Sequence, residues 1–104
     1  MNRSTDMSWA QSAKKLDVVV EIAHRLGAEP PKMSTGSTEP KAIFDLVNER
    51  LGIGAPDGLR KPGLARSIVE ASGEGWHPDY ESRGDTVTKA GLLAVLGAVE
   101  FFLE

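Results

Sequence analysis

The sequence predicts an all-α fold, a single small domain spanning residues 1–104, with about four helices and a long ordered loop before the last. Three observations predict it. Apolar residues recur at helical spacing in four segments, and Gly stands just past the end of three of them. The chain is 104 residues long, a size at which one core is usual and a second is not.

The first helix is expected from about Ser8 to Leu26, on a stripe of Trp9, Ala13, Leu16, Val20 and Ala23, with Lys14, Lys15, Asp17, Glu21 and Arg25 mostly off it. Gly27 supplies its stop. The β-branched run Val18-Val19-Val20 lowers helix propensity by roughly a few tenths of a kcal/mol per residue, which the flanking periodicity outweighs. For the second helix Thr38 is placed as N-cap, with Glu39 and Pro40 in the first turn, where a negative charge and a missing N–H are tolerated. Ile43, Phe44, Val47 and Leu51 form its stripe and Gly52 ends it. Pro62 opens the third helix, whose apolar positions are Leu64, Ala65, Ile68 and Val69 and whose stop is Gly73. So short a helix needs packing to persist.

Residues Gly73 to Val87 show no periodic pattern and exceed the usual connection length. Because this stretch holds Trp76 and Tyr80, it reads as an ordered loop of the kind that often carries function. Thr86-Val87-Thr88 suits a short extended piece before Thr88 caps the last helix, about Lys89 to Phe102. That helix is apolar nearly all round, so it is either the centre of the core or meets a partner along one face. The core is expected to hold Trp9, Leu16, Val20, Ile43, Phe44, Val47, Leu64, Ile68, Leu92, Val95, Leu96, Val99 and Phe102.

Composition excludes several functions. Zero Cys removes disulfides, thiolate zinc, Fe–S clusters and a cysteine nucleophile. Twelve Lys plus Arg against fifteen Asp plus Glu give a net charge of −3, unlike a sequence-blind DNA binder. The longest apolar stretch, Ala90 to Leu103, is interrupted by Glu100 and falls short of the ~20 residues that cross a bilayer. The opening residues, Met1 to Asp6, lack the apolar region of a secretory peptide, so a cytoplasmic location with no membrane contact is expected.

No catalytic set emerges. His24 reads as a surface residue near a helix end. His77 stands beside Asp79, Glu81 and Asp85, but the faint calcium-loop spacing puts Arg83 at a ligand position and Ala90 where the last carboxylate belongs. Pro78-Asp79 has no following carboxylate and lysine for a nuclease, and Gly36 lacks the Lys-Ser/Thr ending of a nucleotide loop. No catalytic residue, metal or cofactor is expected.

Phosphate recognition suits the chain better. Three loop-to-helix junctions place hydroxyls or glycines beside a cation: Lys32 with Ser34, Thr35, Gly36 and Ser37; Arg60-Lys61-Pro62-Gly63 with Arg66; and Ser82-Arg83-Gly84-Asp85-Thr86 with Thr88 and Lys89. Such groups hold phosphates and set register on a duplex. Trp76, His77 and Tyr80 add flat surfaces for stacking or groove filling. The bland alternative is that the hydroxyls cap helices and Trp76 plugs the bundle.

The string Lys-Pro-Gly-Leu-Ala-Arg-Ser-Ile-Val-Glu-Ala-Ser-Gly from Lys61 to Gly73, then Trp76, then Ser82 to Thr88 and Gly91-Leu92-Leu93, resembles the small helical accessory domains that precede nuclease domains in some bacterial restriction endonucleases. Met33 to Lys41 fits the same resemblance, and the Lys61–Gly73 helix is loosely similar to the helix-extension-helix of SAP-like DNA-binding modules. The chain departs from a complete restriction enzyme in having no nuclease signature. The resemblance implies a non-catalytic DNA-binding or target-recognition module of a restriction or defence protein, with catalysis elsewhere. Its contacts are expected at Ser34, Thr35, Ser37, Lys61, Arg66, Trp76, His77, Arg83, Thr86, Thr88 and Lys89. The rival expectation is an assembly module, pairing with a partner domain or a second copy through Leu93, Phe101 and Leu103 of the apolar last helix.

Overall fold

The computed structural model describes residues 11–31 and 40–104. Its elements are α1 (Lys15–Arg25), α2 (Lys41–Leu51), α3 (Lys61–Ala71), a 3-10 turn (Pro78–Tyr80), β1 (Glu81–Ser82), β2 (Thr86–Val87) and α4 (Lys89–Leu103). The fold is therefore mainly helical and not purely α, because β1 and β2 pair antiparallel, Glu81 opposite Val87 and Ser82 opposite Thr86. Strands this short lie below the reach of a periodicity signal.

Local chemistry sets the helix ends. Within the described residues α1 starts later than expected, since the Asp17 carboxylate takes the Lys14 backbone N–H at 2.9 Å, half of a capping box. At its far end Ala28 N–H reaches the Ala23 carbonyl at 3.0 Å and Gly27 N–H the His24 carbonyl at 3.0 Å, the Schellman arrangement that a left-handed glycine permits. Gly52 and Gly73 close α2 and α3 in the same way. Pro40, expected inside the first turn of α2, instead caps it in an extended conformation. Thr38 and Glu39 lie outside the described residues, as does Trp9.

One cluster of buried side chains joins all four helices. Ile43, Phe44, Val47, Leu64, Ile68, Leu92, Val95, Leu96 and Val99 are buried as expected. On α1 the expected stripe is displaced. Val18, Val19, Ile22 and Ala23 are buried, Val20 is half-buried and Leu16 is 51% exposed. The pairs at 18/19 and 22/23, continued by Leu26, turn a wider apolar face inward than Leu16 and Val20 would. Phe102, also expected inside, is 37% exposed, and Val87 of β2 fills space beneath the hairpin instead.

Helix α4 is the central element, packed along α1 and α3 and covered at its start by β2 and the 3-10 turn. It runs in the same direction as α1. Lys89 Nζ donates to the Gln11 carbonyl at one end (3.3 Å), and Arg25 Nη2 pairs with Glu100 at the other (2.6 Å). The charge that interrupts the last apolar stretch is thus turned inward and only 6% exposed. Burial opposes the charged form of Arg25, but hydrogen bonds to Glu21 and Glu100 outweigh it and raise the guanidinium above its ordinary value. No helix among the described residues is long and apolar enough to cross a membrane.

Candidate nucleic-acid interface

The long stretch after α3 is an ordered hairpin locked onto the start of α4. Pro78 favours the 3-10 turn by its fixed φ, and Tyr80 N–H closes that turn on the His77 carbonyl at 3.0 Å. The Tyr80 carbonyl then accepts Thr88 N–H at 2.9 Å, which fixes the base of the hairpin. Thr88 Oγ1 donates to the Asp79 carbonyl at 2.6 Å and accepts Gly91 N–H at 3.2 Å, so a single hydroxyl caps α4 and ties the hairpin to it. Thr88→Ala is expected to lower stability by about 1–2 kcal/mol, the upper range for a lost cap, read as a lower denaturant midpoint at unchanged slope.

The aromatic residues support this hairpin. The half-buried Trp76 packs against the core, donates its indole N–H to Glu81 and meets Tyr80 edge-on, with ring centroids 5.1 Å apart. His77, exposed, meets the same Tyr80 ring edge-on at 5.3 Å. Trp76 is thus chiefly a plug under β1, whereas His77 keeps a solvent-facing ring.

The tip turns through Arg83, Gly84 and Asp85, with φ of 78° at Gly84 and 58° at Asp85. Asp is among the few non-glycine residues that adopt such a φ readily. From there the Asp85 carboxylate pairs with Arg60 Nη1. That contact and the attraction behind it raise the Arg60 guanidinium above its ordinary value. Because Arg60 is the residue capping α3, the pair draws the hairpin tip to the N-terminal end of that helix. Lys61 follows Arg60 and Arg83 stands just before Gly84, so each of the two paired elements carries a further cation next to the contact in the chain. Arg83 is exposed and forms no ion pair among the described residues.

The remaining expected contacts are distributed differently. Thr86, half-buried on β2, is opposite Ser82. Arg66 lies mid-helix on α3, held by Glu70 at 3.1 Å. The Lys89 ammonium lies against the Gln11 carbonyl, and both roles of the Thr88 hydroxyl are structural. Ser34, Thr35 and Ser37 lie outside the described residues. The Arg60–Asp85 pair therefore joins the junction of Lys61 to that of Arg83 and Thr86, while Arg66 and Lys89 are engaged with Glu70 and Gln11. Arg60 and Asp85 were legible only as members of two separate junctions, since nothing in a sequence marks a pair so far apart along the chain. No group of three His, Asp or Glu side chains able to hold a metal occurs among the described residues. Compared with protein-family models, curated proteins and solved structures, the chain finds no match.

Proposed function

We propose that the chain is a non-catalytic DNA-recognition module of the kind that accompanies a nuclease in bacterial restriction or defence proteins. Its contact surface is the junction of the hairpin tip with the start of α3. The observation that carries this reading is the Arg60–Asp85 pair. It neutralises Asp85 at the hairpin tip and joins the junction that carries Lys61 to the one that carries Arg83. In a chain whose residues 53–104 hold five cations and eight anions, this concentrates positive charge locally although the total is negative. A two-stranded ribbon is a shape the major groove admits, while cations and hydroxyls around it take phosphates and set register. Lys61 and Arg83 hold phosphate, and Thr86 supports them with its hydroxyl.

Fluorescence anisotropy of a labelled duplex, titrated at several salt concentrations, tests this reading. Binding is expected at low salt with a shallow dependence. Arg83→Ala and Lys61→Ala should each weaken it and each remove about 0.9 from the log–log salt slope, one phosphate contact apiece. Arg66→Ala, a change in the middle of α3 away from the hairpin tip, should alter the slope much less. A chain that binds no duplex at low salt refutes the reading.

A further inference from the structure

A groove of about 270 Å³ opens between the last turn of α3 and the second half of α4, with Val69, Ala94, Gly97 and Ala98 as its apolar lining. Its chemistry favours one kind of ligand. Glu74 is the one charged residue of the lining; it is exposed and forms no ion pair among the described residues. Ser72 donates its hydroxyl proton to the Val69 carbonyl at 2.7 Å, so toward a ligand its oxygen can only accept. Tyr80 and Phe101 complete the lining, and aromatic faces attract cations.

The helix ends add to this preference. A helix C-terminus carries a partial negative charge, which a basic side chain in the last turn stabilises. Neither α3 nor α4 has one there. Glu74, two residues past the Ser72 cap of α3, instead adds a full negative charge at that pole. Arg25, the cation paired with Glu100 of α4, is held by Glu21 as well and is not part of the groove.

We propose that the groove binds a small primary amine in its ammonium form. The ammonium donates to the Glu74 carboxylate and the Ser72 hydroxyl oxygen, and the apolar body of the ligand lies against Tyr80, Phe101 and the alanines. Pockets for drug-sized ligands run from about 300 to 1,000 Å³, so this one takes a smaller molecule, an alkylamine or an arylalkylamine.

Phenethylamine, titrated into the isotopically labelled full chain near neutral pH and followed in amide correlation spectra, tests the proposal. Phenethyl alcohol, neutral and of nearly the same shape, and hydrocinnamate, an anion, are the comparison ligands. Saturable shifts are expected for the amine at residues 69–74, 80 and 94–101, with a dissociation constant on the order of 1 mM. The alcohol should bind about fivefold more weakly, and hydrocinnamate should cause no saturable shift. Glu74→Gln should weaken the amine by about fivefold, the upper range for an exposed ion pair, and leave the alcohol unchanged. Gly97→Leu enters open space, since nothing lies within 4 Å of the position a Cβ would take there. It should fill the groove and abolish binding of both, with the helical circular dichroism unchanged. Amine and alcohol that bind alike, a Glu74→Gln chain that holds the amine as well as the wild type does, or no saturable shift up to about 20 mM overturns the proposal. So does a response to a lysine-rich peptide without one to the free amine, which would mark a protein-docking groove instead.

Discussion

Replacing Gly91 with Ala is expected to cost about 3 kcal/mol or more, at or beyond the upper range for overpacking, although one methyl group is all that changes. A Cβ at this position would overlap the Tyr80 carbonyl oxygen and Cγ1 of Val87. The Val87 methyl can shift, but the carbonyl is held by Thr88 N–H. Making room therefore means parting the hairpin from α4. Glycine in the first turn of a helix is itself unfavourable by about 1 kcal/mol relative to Ala, so its presence marks a place where close approach matters more than propensity. Gly97 of the same helix is the matched control, because its Cβ direction is open. Gly97→Ala should gain about 0.5–1 kcal/mol. Thermal unfolding of dilute protein checks both, since a domain of this size moves by about 4–8 °C per kcal/mol. Gly91→Ala should fall by well over 10 °C on that scale and Gly97→Ala should rise by a few degrees. Equal effects from the two would mean that the hairpin does not bear on α4 as described.

Arg25→Ala is expected to cost about 3 kcal/mol, the lower end of the range for breaking a buried ion pair. It leaves Glu100, 6% exposed, without the cation that holds it at 2.6 Å. The lower end applies because the Arg25 side chain remains 20% exposed and water reaches that edge of the pair. Glu100→Leu should cost far less, under about 1 kcal/mol, since Arg25 keeps its 2.8 Å contact with Glu21 and an apolar side chain suits the site. The double variant should recover most of what Arg25→Ala loses, and denaturant titration of all four proteins measures the coupling. The sign of the pH dependence follows from the raised guanidinium value of Arg25. The cation's contribution is fully present below the ordinary arginine pKa and is lost only as pH climbs beyond the raised one, so the near-neutral range should leave it unaltered.

Much of the helical framework was legible in the sequence because it is written in local chemistry. Gly27, Gly52 and Gly73 stop three helices by their backbone freedom, and the apolar spacing of α2, α3 and α4 identifies most of their buried residues correctly. The phase of α1 was not legible. Leu16 and Val20 fit a helical stripe as well as Val19 and Ile22 do, and only the position of the neighbouring helices decides between them. The hairpin was missed as a sheet because two-residue strands are held by the Thr88–Tyr80 bond and the turn at Gly84 and Asp85, not by alternation. Arg25–Glu100 and Arg60–Asp85 join residues far apart along the chain, so neither pairing leaves a pattern in composition or spacing. The candidate interface was legible as residue types at two junctions, Lys61 with Arg60 and Arg83 with Thr86. That these junctions adjoin is a tertiary fact.

Titration of the isotopically labelled chain with duplex DNA at low salt, followed in amide correlation spectra, locates the contact residue by residue. Shifts are expected to concentrate at residues 60–63 and 82–87, to diminish in Arg83→Ala, and to leave the outward face of α4 at residues 93–101 unmoved. Spectra that do not change on adding duplex, or changes confined to α4, would contradict DNA recognition at the hairpin and the start of α3.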